Sequence, residues 1–408
     1  MKRLVSRSAA AIVAAGTLGV LMVAPGCLDR PVAPQQPNTT KVSTQLYRAT
    51  KIDKIDLLFM IDNSASMADK QDILAAAVPD LVNRLIQPRC INAQAVEVPE
   101  ESGKCPVGSK REFDPVNNIH IGVLSSSIGG HGADSCSNVP TSAYTPRMED
   151  MSHLITRDLQ NGTVATYEGK GFLFWDPKGK GEPPGDASAS ALVDKFVKIV
   201  QGTGQDGCGF EAILEAWYRF LVDPAPYGRV VATDCNTGQP VEGGACRGPD
   251  GTIDDTVLQQ RKDFLRPDSL LAVVMLADEN DCSVIDGGQS FLAVQAYSGS
   301  QPFHLPRATS ACNDDPNSAE CKSCGQIDPS TDPQCATGFN ELDDALNLRC
   351  YRQKERFGFD FLYPVRRYAY GLTQKAFKPQ PYCDNGNDPR CNEWDGLAFP
   401  TGVTNGDL

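Results

Sequence analysis

One short stretch of this chain carries a carboxylate and two hydroxyls at alternate positions. Asp62, Ser64 and Ser66 directly follow the apolar run of residues 55–61. Carboxylate and hydroxyl oxygens suit Mg²⁺, a hard cation that prefers oxygen ligands and keeps several of its waters. Metals that prefer thiolate or imidazole ligands fit such a set poorly. The three side chains therefore predict a Mg²⁺ or Mn²⁺ site, whereas the simpler interpretation is a serine-rich turn that caps a helix at Ser66.

The surrounding elements decide where these oxygens lie. Residues 55–61 are short, rich in Leu and Ile and almost uncharged, as expected of a strand buried on both faces of a parallel sheet. Ligands of open α/β sheets bind just beyond the carboxyl ends of the strands. Apolar residues then recur at helical spacing over residues 73–86, where Pro79 predicts a bend or a split of the helix. The order of strand, polar loop and amphipathic helix favours a ligand site in the loop.

A second apolar run ends in another acidic residue. Residues 270–277 again have the character of a buried parallel strand, and Asp278 is the first residue after them. An isolated acidic group such as Asp278, Glu279 and Asp281 would be interpreted as a solvated loop. Two strands that both end in a carboxylate favour one shared metal site instead.

A third loop precedes a second amphipathic helix over residues 210–221 and contains Thr203. The glycines of this loop also match the dinucleotide-binding pattern G-x-G-x-x-G, with Asp223 at the distance of a ribose-binding acid. That pattern requires a strand before it, whereas residues 191–201 show helical periodicity. The sequence therefore predicts no bound nucleotide.

The D-x-S-x-S pattern of Asp62, Ser64 and Ser66 at the end of such a strand resembles the metal-ion-dependent adhesion site of von Willebrand factor type A domains. The resemblance implies an α/β fold with a doubly wound, mostly parallel sheet and flanking helices. It implies that Thr203 and Asp278 join these three residues around Mg²⁺ or Mn²⁺. It also implies a protein partner that offers the carboxylate of an Asp or Glu to the ion.

The position of Thr203 departs from the family pattern. Family loops commonly place the threonine nearer to the following helix. Asp206 is therefore an alternative to Thr203, and the absence of a ligand from this loop is another.

The amino terminus has the features of a bacterial export signal. Basic residues precede an apolar stretch over residues 9–24 that ends near Cys27. Gly26 before Cys27 resembles a lipoprotein cleavage site, which implies a signal peptide over residues 1–26 and a lipid on Cys27. Leu28 in the following position implies, by resemblance to Gram-negative sorting rules, an outer-membrane lipoprotein that meets the membrane only through its lipid. An uncleaved anchor is the alternative, although the apolar stretch is shorter than the ~20 residues that span a bilayer.

Cysteine usage agrees with export. Fifteen cysteines, less Cys27, leave an even number, as expected of disulfides in an oxidising compartment. Cys321 and Cys324 are expected to form a disulfide rather than a zinc or redox site. The bridges should hold long insertions near residues 90–115, 130–165, 225–265 and 283–358. Short spacing makes three local pairs plausible: Cys90 with Cys105, Cys235 with Cys246 and Cys383 with Cys391.

Length and charge limit the remaining possibilities. The formal net charge of −13 makes nucleic acid an unsuitable partner. A stretch rich in Pro, Gln, Thr and Asn after Cys27 predicts a flexible tether over residues 27–50. The length of 408 residues suits one large domain with insertions or two smaller ones, and we favour one domain over residues 51–408 with cysteine-rich insertions. After Gln374 the sequence is polar and rich in Pro, Gly and Asn, so we expect a fragment or a fold whose last strand is lost or replaced.

These features predict a non-enzymatic binding module anchored in the cell envelope. The competing interpretation is an exported hydrolase that uses Ser64 or Ser66 as nucleophile or a metal to activate water. The sequence contains no G-x-S-x-G motif and no histidine close to the serines along the chain. A scaffold with a vestigial metal site is the third possibility.

Overall fold

The computed structural model describes residues 53–136, 145–340 and 343–373. The expected signal peptide, Cys27, the tether, the pair Cys383 with Cys391 and the chain after Gln374 lie outside these residues. In the described ranges no helix has the length and apolar character needed to cross a membrane.

Four strands form the central sheet of the domain. Strand β1 (Ile55–Ile61) pairs in parallel with β5 (Ile119–Ser125) on one side and with β9 (Leu270–Leu276) on the other. Strand β6 (Leu173–Trp175) pairs antiparallel with β5, so the strand order is β6-β5-β1-β9. The prediction of an α/β fold with a mostly parallel sheet is therefore confirmed.

Helices cover both faces of this sheet. Side chains of β1 alternate between the faces: Phe59 packs with Phe196 in one cluster, and Leu58 packs with Trp217 in the other. Such alternation follows from the two-residue period of a strand. The α-helices of the described residues are α1 (Ala68–Ile86), α2 (Ala189–Gly202), α3 (Ile213–Leu221), α4 (Asp255–Phe264), α5 (Ala311–Asp314), α6 (Gln353–Phe357) and α7 (Val365–Thr373).

Two details of the predicted elements are wrong. Strand β9 is not buried on both faces, since Leu270 is 46% exposed and Met275 is 48% exposed. It pairs with β1 alone among the described strands, so one edge lacks the neighbour that a buried strand requires. Of the two outcomes expected at Pro79, the split is also wrong, because helix α1 continues through this residue. Val78 and Val82 of this helix are buried against the sheet, and this packing holds the segment helical despite the proline.

The insertions contain short ladders and six disulfides. Cys90–Cys105 and Cys235–Cys246 form as predicted. Cys321 and Cys324 are both in disulfides as expected, but not with each other, because the fold of the insertion brings Cys321 to Cys312 and Cys324 to Cys335. The other two bridges are Cys136–Cys208 and Cys282–Cys350. The short strands are β2 (Cys90–Ile91), β3 (Glu97–Val98), β4 (Lys110–Arg111), β7 (Val230–Thr233), β8 (Cys246–Pro249), β10 (Tyr297–Ser298) and β11 (Gln301–Pro302).

Candidate metal centre

Three parallel strands end together at one edge of the sheet. In the ladder, Ile61 lies opposite Ser125 on one side and Leu276 on the other. The ladder is extended by one bond on each side: Asp62 N donates to Leu276 O at 2.9 Å, and Ser126 N donates to Ile61 O at 3.1 Å. The loops that follow β1, β5 and β9 therefore meet at the position that the sequence predicts for a ligand site.

Asp62 is fully buried at this edge. Its Oδ1 accepts a hydrogen bond from the backbone N of Ser64 at 2.8 Å, whereas its Oδ2 is buried without a hydrogen-bond partner. Burial raises the pKa of the Asp62 carboxyl above its usual value, although its hydrogen bonds with Ser64 oppose the shift. Burial of a carboxylate oxygen without a hydrogen-bond partner destabilises a folded protein. A ligand from outside the chain would supply the partner that this atom lacks.

The two serines connect Asp62 to the end of β9. The hydroxyls of Ser64 and Ser66 are 2.9 Å apart, and Ser66 Oγ donates to Asp278 Oδ1 at 3.0 Å. Asp278 Oδ2 is 3.0 Å from the ammonium group of Lys70, which also donates to the carbonyl of Ser66. Four of the five residues expected to hold an ion therefore lie close together, in a chain of oxygen atoms that runs from the buried Asp62 to the more exposed Asp278.

Thr203 has a different environment. It is fully buried at the end of α2, and its hydroxyl donates to Val200 O at 2.7 Å. The described hydrogen bonds do not join this hydroxyl to Asp62 or to either serine of the motif, and its role as a metal ligand stays a prediction. Asp206, the alternative, forms an ion pair with Arg147 at 3.0 Å.

Asn63 fixes the position of the loop that contains Thr203. Its side-chain amide donates to the carbonyls of Arg147 and Thr203, each at 3.2 Å, and its Oδ1 accepts from Ser127 Oγ at 2.7 Å. Gly207 N also donates to the Asn63 carbonyl at 2.9 Å. A Cβ on Gly207 would lie 2.2 Å from Asn63 Oδ1, so this close approach requires glycine. Asn63 stands between two motif positions, so its spacing in the sequence gives no sign of this role.

Glu211 is the second residue that the sequence analysis missed. It precedes α3, is buried, and its carboxyl lies near Ser64. Burial, together with the charges of Asp62 and Glu279, raises the pKa of Glu211 to about 8. Its carbonyl accepts a hydrogen bond from Cys282 N at 2.8 Å, which ties it to the loop after β9. The apolar stripe of residues 210–221 predicts the helix but gives no sign that a carboxyl beside this stripe reaches the loop after β1.

The oxygen atoms of this loop suit a hard cation such as Mg²⁺ better than a metal that prefers nitrogen or sulfur ligands. Across residues 53–136, 145–340 and 343–373, no three His, Cys, Asp or Glu side chains come close enough together to hold a metal ion. A cation here would therefore depend on Asp62 and Asp278 together with the serine hydroxyls and water. Comparison with protein-family models, with curated proteins and with solved structures finds no match for this chain.

Proposed function

We propose that this chain is a binding module of the von Willebrand factor type A kind, anchored in the cell envelope by a lipid on Cys27. In this proposal Asp62, Ser64, Ser66 and Asp278 hold Mg²⁺ or Mn²⁺. A protein partner then supplies an Asp or Glu carboxylate to the ion. The single observation that carries the proposal is Asp62 Oδ2, a buried carboxylate oxygen without a hydrogen-bond partner beside two hydroxyls and a second strand-end carboxylate.

The exposure of the residues in this loop supports an approach of the partner from the solvent side. Asp62 and Ser64 are buried, Ser66 is exposed, and the Asp278 side chain is 23% exposed. When bound, the cation would supply an electrophilic centre on the solvent side of this loop. Two carboxylates with neutral hydroxyls would leave part of its charge uncompensated, which favours an incoming carboxylate. A partner that presents an Asp or Glu on a protruding loop fits this arrangement.

The competing hydrolase proposal has weaker support. Each of the four histidines has another partner: His120 bonds to Phe264 O, and the other three pair with carboxylates of Asp254, Asp286 and Asp344. Ser64 and Ser66 hydrogen-bond to each other and Ser66 also to Asp278, and a buried group near Ser64 is the carboxyl of Glu211 rather than a histidine. Activation of a serine nucleophile requires an adjacent base, usually a histidine. The binding role is therefore the function that these contacts favour.

A pull-down of envelope proteins with the chain tests this proposal. We expect capture of a partner in Mg²⁺, its loss in EDTA, and its loss with the Asp62→Asn protein. Asp268→Asn is the matched control, because Asp268 is an exposed aspartate that precedes β9 at the opposite end of the strand and pairs with Lys54. Capture that is equal in Mg²⁺ and in EDTA, or equal with Asp62→Asn, would contradict the proposal.

A further inference from the structure

A cavity lies at the same end of the sheet, beside the loop that follows β5. This loop forms one wall of the cavity of about 200 Å³, which is lined by Gly129, His131, Glu149, Met151 and Tyr227 among others. Pockets for drug-sized ligands have volumes of roughly 300 to 1,000 Å³. The cavity therefore suits an ion or a very small molecule.

His131 supplies an unused ligand atom to this cavity. The residue is 4% exposed, and its Nδ1 lies 2.6 Å from Asp286 Oδ1. The other ring nitrogen, Nε2, is buried and has no hydrogen-bond partner. Metal-bound histidines have this arrangement, in which a carboxylate holds one ring nitrogen and leaves the other for the metal.

Glu149 and Met151 bring two further donor atoms into the same cavity. A Cβ built on Gly129 would lie 3.5 Å from Glu149 Oε1 and 3.7 Å from Met151 Sδ, so both side-chain ends lie over this glycine. Burial raises the pKa of the Glu149 carboxyl. A half-buried carboxyl of this kind gains from a neighbouring cation.

The backbone holds these residues in place. Ile128 and Glu149 form an antiparallel bridge, and the backbone N of Met151 donates to Ser127 O at 3.3 Å. His131 and Met151 both have a φ of 52°, a conformation that non-glycine residues adopt only where the surrounding structure imposes it. The backbone of the three donor residues is therefore fixed by the fold before any ligand binds.

We propose that this cavity binds a single copper ion through His131 Nε2, Met151 Sδ and the Glu149 carboxylate. A thioether is a soft ligand that selects Cu(I), and imidazole suits copper as well. The oxygen-only set around Asp62 has the opposite preference, so this site goes beyond the proposed function. Among the described residues no three His, Cys, Asp or Glu side chains could hold a metal ion together, so this site depends on Met151 as its third donor.

Competition for Cu(I) against a chromophoric chelator tests the proposal. The measurement uses the full chain with intact disulfides and ascorbate as reductant. We expect one tight equivalent that is lost in His131→Asn, where asparagine tolerates the positive φ, and weakened in Met151→Leu. Asp286→Asn, which changes only the partner of Nδ1, should lower the affinity by about 10- to 100-fold.

Matched controls separate this site from other copper ligands. His153→Asn and Met148→Leu change a histidine and a methionine that do not line the cavity, so both should keep the tight equivalent. Asp62→Asn should keep it too, which distinguishes this site from the Mg²⁺ loop. Near-ultraviolet circular dichroism verifies folding, and Met151→Leu decides the question if His131→Asn does not fold. Equal Cu(I) affinity in the parent and the Met151→Leu protein, or equal losses in the cavity variants and the controls, would overturn the proposal.

Discussion

Lys70 lies beside the proposed metal ligands, and its charge opposes a bound cation. Its ammonium group is 3.0 Å from Asp278 Oδ2, with the Lys70 side chain 45% exposed. Two unit charges 4 Å apart in water interact by about 1 kcal/mol. Removal of the Lys70 charge should therefore raise the affinity for Mg²⁺ about fivefold. Calorimetry of Lys70→Gln measures the change, which should shrink at high salt. Lys54→Gln, at the other end of the sheet, is the control. A lower affinity would instead mean that Lys70 positions Asp278.

His120 should make the fold sensitive to acid. Its ring is buried with Nδ1 2.7 Å from Phe264 O, and burial together with the nearby Arg266 lowers its pKa to about 3. Asp56 lies 3.7 Å from the ring, but this carboxylate is already paired with Arg266. The unfolded chain takes up a proton below a pH of about 6.5 and the folded chain does not, so stability is lost as the pH falls through this range.

The acid sensitivity of His120 can be measured by denaturant unfolding at two pH values. Its contribution to the free energy of unfolding should be lower by roughly 2 to 3 kcal/mol at pH 4.5 than at pH 7. The His120→Asn protein should lose less stability over this interval than the parent. His153→Asn, a change at a more exposed histidine, should not differ from the parent. An equal acid loss in the parent and in His120→Asn would show that the ring is not held neutral.

The residues of the candidate site differ in how far the sequence reveals them. Asp62, Ser64 and Ser66 are marked by their own spacing, and Asp278 by the apolar run before it. Glu211 has no such mark. It follows Ser64 by 147 positions, and only the path of the loop before α3 brings the two residues close together. Ligands that follow strands can be predicted because parallel strands end together, whereas ligands from loops require the tertiary structure.

At the scale of elements, a buried ion pair fastens α7 to α3. Arg367 Nη2 lies 2.8 Å from Glu215 Oε1, its Nε lies 3.1 Å from Oε2, and the Tyr368 hydroxyl donates to the same carboxylate. Loss of one partner of a buried pair leaves the other charge uncompensated and typically costs about 3 to 5 kcal/mol. Arg367→Met should therefore lower the free energy of unfolding by about this amount.

The double variant Glu215→Leu with Arg367→Met is the control for this pair. It removes both charges, so it should recover much of the stability that Arg367→Met loses. Denaturant titration of the parent, the two single variants and the double variant measures the coupling. Additive losses in the double variant would mean that the contact between the two side chains does not stabilise the helix pair.

The elements themselves were largely predictable because they are strongly periodic. The apolar runs around Ile61 and Leu276 are strands, and the stripe of residues 191–201 is a helix as expected. The exposure of β9 could not be predicted, since an edge strand and a central strand can have the same composition. What differs is the presence of a neighbour, which the local sequence does not encode.

At the scale of the whole molecule, disulfides hold the long insertions. Peptide mapping without reduction should find the six bridges of the structure, including Cys312–Cys321 and Cys324–Cys335. Cys383 and Cys391, beyond the described residues, are expected to be oxidised as well. Freely alkylated thiols at several of these positions, in protein from its native compartment, would contradict the export of this chain to an oxidising compartment.

Spacing predicted two local bridges, but it did not show which partners Cys321 and Cys324 take. Cys90 with Cys105 and Cys235 with Cys246 close short loops, which brings the thiols together with little help from the rest of the fold. Cys321 and Cys324 are closer in sequence still, but each bonds to a cysteine 9 or 11 positions away. Cysteine spacing alone does not determine connectivity.

Calorimetric titration of Mg²⁺ tests the central claim most directly. The parent chain should bind one ion at the loop after β1, and Asp62→Asn should abolish this binding because it removes the buried charge of Asp62. Asp268→Asn, the exposed control, should bind as the parent does. Equal Mg²⁺ affinity in the parent and the Asp62→Asn protein, or no binding to the parent at all, would contradict the claim that this sheet edge is a metal site.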